Sequence, residues 1–143
     1  MLFSGLYAGL AAGAILSFLA HIAPLVGAGN FIRDLDQPKA WGCELTRREA
    51  HLLGILVFLV FSLFSGLLLA WFVAQGWIVG FDFLSVLGWG MLMLLFVGLV
   101  LMPLEGHGVF GYRHDSWFVI DLCVACLLWS LLFWALIKLW VPA

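Results

Sequence analysis

Charge is what this chain has least of. Only 10% of its 143 residues are Asp, Glu, Lys or Arg, against about 25% in a water-soluble domain. The formal net charge is −2 and no basic tract occurs, which leaves no electrostatic footprint for nucleic acid or an acidic substrate. Three cysteines, an odd number, supply no disulfide framework. No G-x-S-x-G, H-E-x-x-H or Walker pattern is present, so the sequence carries none of these signatures of an enzyme. Met1 to Ala20 has no Lys or Arg. Without a positive n-region, that run reads as a retained helix rather than a secretory leader.

Hydrophobic residues fill the space, at 66% of the chain. They gather in four apolar runs, approximately residues 2–24, 50–75, 81–104 and 116–141. A membrane span needs about 20 apolar residues, because the hydrocarbon core is roughly 30 Å thick and a helix rises near 1.5 Å per residue. Each run must be helical in lipid, where an unpaired backbone amide has no water to turn to. The expected fold is therefore all-α: a polytopic membrane protein, one domain over 1–143, with four transmembrane helices. The second joint, Gly76–Gly80, is short enough to make helices two and three an antiparallel hairpin. The first joint, about Gly27 to Thr46, suits an interfacial turn with Trp41 at headgroup level.

Arg33, Lys39, Arg47 and Arg48 lie in or beside the first joint and Arg113 in the third, while the second has no Lys or Arg. The positive-inside rule then places joints one and three in the cytoplasm and both termini outside, with Lys138 dissenting near the outer end of helix four. Thr46-Arg47-Arg48-Glu49 is a T-x-x-E capping box before helix two, and Asp115 or Ser116 can cap helix four.

One phrase is written twice. Pro24-Leu25-Val26-Gly27-Ala28-Gly29-Asn30-Phe31 returns as Pro103-Leu104-Glu105-Gly106-His107-Gly108-Val109-Phe110. Each copy closes an apolar run, which predicts two tandem helix–loop–helix repeats, about 1–76 and 77–143. Pro ends or bends a helix and Gly takes a left-handed conformation past its end, so the shared Pro24, Gly27, Gly29, Phe31, Pro103, Gly106, Gly108 and Phe110 read as scaffold. An anion-binding glycine nest is the alternative. Ser62 aligns with Ser130. Gly5, Gly9, Gly13 and Ser17 recur every four residues on helix one and lead to His21, which should therefore face protein. Helix two carries Gly54, Ser62, Gly66 and Ala70 on a similar stripe. Small residues at this spacing let helices approach closely in lipid, within the chain or across a dimer.

The differences between the copies point to function. Glu105 replaces Val26 and His107 replaces Ala28. A carboxylate at a helix C-terminus meets the negative end of the dipole and needs a compensating cation. His21, His51 and His114 belong to the same cytoplasmic end, and Asp121 adds a carboxylate a turn inside helix four, where ionisable groups are costly and usually functional. Imidazole with carboxylate suits a divalent metal, two facing histidines suit haem or chlorin, and the set could relay a proton. Arginine pairing and loop capping are the structural alternatives. Cys123-Val124-Ala125-Cys126 sits inside an apolar helix and reads as small-residue packing. Most of the eight Trp fall near span ends, whereas Trp129 and Trp134 lie deeper and are expected to contact lipid.

Met102-Pro103-Leu104-Glu105-Gly106-His107-Gly108-Val109-Phe110-Gly111 resembles the M-P-L-x-G-x-G-x-F-G segment of certain small four-helix bacterial membrane proteins of unknown function. That resemblance implies the architecture and a bacterial inner-membrane location, and brings no catalytic assignment. Glu105 and His107 stand where small apolar residues are more usual in those proteins. Two functions are expected on this reading. One is an accessory or scaffold subunit of a larger membrane assembly, with the bilayer, a membrane-protein partner or a second copy around it. The other is a cofactor- or ion-binding protein using the His/Glu/Asp cluster.

Overall fold

The structure is a computed structural model that describes residues 1–22, 39–40, 43–44, 46–104, 108–112 and 118–140. Among these, four helices are long and apolar enough to cross a membrane: Leu2–Ile22, Leu52–Ala74, Phe83–Leu104 and Val119–Trp140. The chain is an all-helical integral membrane protein of four spans. Pro24, Gly27, Gly29, Phe31, Arg33, Trp41, Gly106, Arg113, Asp115 and Ser116 lie outside the described residues.

Helix α1 covers Leu2–Ile22. In the first joint, β1 (Lys39–Ala40) pairs antiparallel with β2 (Cys43–Glu44), Lys39 opposite Glu44. Helix α2, Arg47–Ala74, opens on the expected capping box: the Thr46 hydroxyl accepts from the Glu49 amide, and Glu49 Oε2 accepts from the Thr46 amide at 2.8 Å. These bonds favour the ionised form and hold the Glu49 carboxyl below the usual carboxylate range. At the other end, Trp77 N donates to Phe72 O and Gly76 N to Val73 O, both at 3.0 Å, with Gly76 at φ 75°. This is a Schellman stop, completed by the Phe72–Trp77 ring contact at 5.1 Å.

The third span is built from α3 (Phe83–Phe96), a π-helical stretch (Val97–Leu101) and α4 (Met102–Leu104). Asp82 caps α3 by accepting from the Ser85 amide and hydroxyl, which also lowers its pKa. The π stretch ends two residues before Pro103, whose missing N–H and ring displace the α register. Gly98 in that stretch makes room for the Phe110 ring, which a Cβ there would strike. Phe110 itself is held at φ 53° and Gly108 at φ 76°. Helix α5 covers Phe118–Trp140.

Packing does not follow chain order. Helix α1 packs closely on α2 and on α5, α3 packs on α5, and α2 touches α3 only sparingly. The small-residue stripes explain the first contact. A Cβ on Gly9 would lie 2.5 Å from Ser62 O and 3.0 Å from Gly66 Cα, and one on Gly13 would lie 2.6 Å from Ser62 Oγ. That face of α1 is thus occupied within the chain. Gly54 departs from the expected stripe, because a Cβ there would meet nothing within 4 Å. Across the bundle, a Cβ on Gly90 of α3 would run into Ser130 Oγ of α5. Leu16, Leu69, Phe133 and Ile137 fill the core.

Candidate functional site

The sequence-predicted cluster is only partly within the described residues. Glu105, His107 and His114 lie outside them, and His51 is described in its α2 backbone alone. His21 ends α1 with Nδ1 2.8 Å from Ser17 O. The residue as a whole is exposed at the end of the helix. Asp121 lies half-buried in the first turn of α5. Because the spans alternate in direction, the end of α1 and the start of α5 share one end of the bundle. Among the described residues, no group of three or more His, Cys, Asp or Glu is close enough to hold a metal ion.

The polar chemistry of the described interior is elsewhere, at mid-span. Ser62 Oγ donates to Gly9 O at 2.6 Å and accepts from Trp129 Nε1 at 2.5 Å. One hydroxyl therefore joins α1, α2 and α5. Ser65 Oγ, one turn on, accepts from Trp89 Nε1 of α3 at 3.0 Å. Ser130 Oγ donates to Cys126 O of its own helix at 2.8 Å, so the aligned serines share burial and not partners. Trp129 is 7% exposed and stacks on Phe133 at 5.0 Å. This corrects the expectation of lipid contact. An indole N–H in hydrocarbon needs an acceptor, and a serine on a facing helix is the nearest one. The same signal was available for Trp89, which lies in an apolar run with no ionisable neighbour.

Between α2, α3 and α5 these bonds frame a cavity of about 140 Å³. Phe58, Phe61, Met93, Val97, Leu122 and Ala125 supply its apolar wall, and Ser62, Ser65 and Trp129 border it. Ser62, Met93 and Trp129 lie near the centres of their spans and Leu122 near the start of its own, so the cavity runs from the middle of the bundle toward the end where α5 begins. Cys126, a free cysteine like Cys123, also borders it. Toward the α2–α3 turn the same seam widens into an open groove of about 520 Å³ beside Phe72, Trp77 and Trp89. Groove and cavity adjoin at Trp89, which lines the first and donates to Ser65 of the second.

Comparison with family models, with curated proteins and with solved structures finds no match to this chain.

Proposed function

We propose that this chain is an accessory or scaffold subunit of a larger assembly in a bacterial inner membrane, with both termini on the non-cytoplasmic side. The observation that supports it most directly is the use made of the mid-span polar groups. Ser62, Ser65, Trp89 and Trp129 tie helix to helix, which is the duty of a framework that presents its outer faces to neighbours. Tagged protein at native expression level, extracted in mild detergent and resolved by native electrophoresis with mass spectrometry, should migrate with other membrane subunits in fixed ratio. A species containing this chain alone sinks the reading.

A second reading rests on His21 and Asp121 sharing the end of the bundle to which Glu105, His107 and His114 belong by sequence. There an imidazole–carboxylate set would hold a divalent metal, haem or chlorin, or pass a proton. It predicts a stoichiometric metal or an absorption band in purified protein, lost in a Glu105→Ala/His107→Ala double variant. Identical metal content and spectra for both proteins would end it.

A further inference from the structure

The cavity between α2, α3 and α5 has a size, a polarity and a depth that together select an occupant. A cavity of ~150 Å³ walled by apolar side chains stays dry and admits benzene or xenon, and this one measures about 140 Å³. Water needs two to four polar partners to be held. Ser62 Oγ already donates once and accepts once, and Ser65 Oγ already accepts from Trp89. The space is far too small for a porphyrin or chlorin ring. It reaches mid-span, where the surrounding solvent consists of lipid chain ends. Two of the helices flanking it, α2 and α3, touch only sparingly, so little helix–helix packing closes the cavity between them. Val97, the first residue of the π stretch, lines it, and π-bulges recur at functional positions in helices. The open groove at the turn end continues the same seam toward the headgroup region, where a phospholipid chain begins.

We propose that this cavity seats the terminal segment of an acyl chain from a membrane phospholipid. The chain lies along the α2–α3 seam, and its end replaces the missing helix–helix contact between Phe61 and Met93. An unbranched chain suits a passage bordered by Trp89, whereas the methyl branches of an isoprenoid widen it.

The test uses full-length protein in phosphatidylethanolamine/phosphatidylglycerol vesicles doped with a phospholipid bearing a diazirine near one acyl terminus. After irradiation, adducts are mapped by peptide mass spectrometry. Label is expected on Phe61, Met93 and Leu122, and it should fall about tenfold in Ala125→Phe, where the new ring and the chain compete for one volume. Label on the exposed mid-span residues Phe64 and Leu131, 55% and 45% exposed, should stay constant. Ala125→Leu gives a smaller drop and serves if the larger ring prevents folding. Wild type alone gives an independent readout: a diazirine placed beside the ester should label the Trp77 groove and not Met93. Equal cavity labelling from both positions, labelling unaffected by filling Ala125, or labelling only by a diazirine-bearing isoprenoid each overturns the proposal.

Discussion

The α1–α2 interface and the α2–α3 seam differ in every respect that chain order would not predict. Helices α2 and α3 are joined by residues 75–82 and meet at that end through the rings of Phe72 and Trp89, with Trp77 of the joint against Phe72. Beyond it they stand apart around a cavity. Helices α1 and α2 are separated by a long joint and still press backbone on backbone at Gly9 and Gly66. In lipid, where apolar surface gains nothing by meeting apolar surface, closeness is decided by small residues and hydrogen bonds. A short loop brings two helices to the same neighbourhood without making them partners.

The largest expected effect comes from blocking the tight interface. Gly9→Leu should destabilise the protein at the upper end of the ~1–3 kcal/mol usual for overpacking, read from unfolding in mixed micelles of increasing dodecyl sulfate. Gly54→Leu is the matched control and should stay within about 0.5 kcal/mol of wild type, because that position faces open space. Equal losses at both sites would break the comparison.

Next comes the bond network between the two regions. Ser62→Ala removes the donor to Gly9 O and strands Trp129 Nε1, at a cost of about 1–2 kcal/mol. In a Trp129→Phe background the same change should cost less, since no indole N–H is left unpaired. A purely additive double variant would show that Ser62 and Trp129 do not act together.

Filling the loose seam should work in the opposite direction. In lipid-depleted detergent, Ala125→Leu should stabilise the bundle by about 1 kcal/mol, measured by the same titration. A loss instead would mean that the three helices already close on one another at that level.

The smallest effect lies outside the membrane. The Glu49 and Asp82 carboxyls are held below their ordinary range by capping bonds. Their contribution is complete above the ordinary carboxylate range and is lost as pH falls through the lowered values. Melting temperature should therefore drop on acidification, and Glu49→Gln with Asp82→Asn should flatten that slope. An unchanged slope would remove the caps from the account.

Spans, the α2 capping box and the α1 glycine face were legible because each depends on residues near in sequence or on a fixed helical spacing. Gly54 misled for the same reason: spacing places it on a stripe, but a Cβ there would meet nothing within 4 Å, and no single sequence encodes how far along two helices a contact runs. Trp89 and Trp129 find serine acceptors 24 and 67 residues away, whereas Trp134 Nε1 is buried without one among the described residues, so an indole's need for an acceptor did not by itself mark which Trp joins two helices. Helix rotation, which decides what each side chain faces, depends on contacts made by the whole bundle.

The double use of one serine hydroxyl has a consequence for biosynthesis. Its bond to Gly9 needs only the first two spans, so that pair can lock while the rest of the chain is still being translated. The indole of Trp129 arrives with the last span and finds a ready acceptor. A chain cut short before it leaves that acceptor unfilled and α1 without its second neighbour. Completion of the bundle is thus recorded at a single oxygen atom, and a truncated product differs from the finished one deep in the membrane as well as at its missing end.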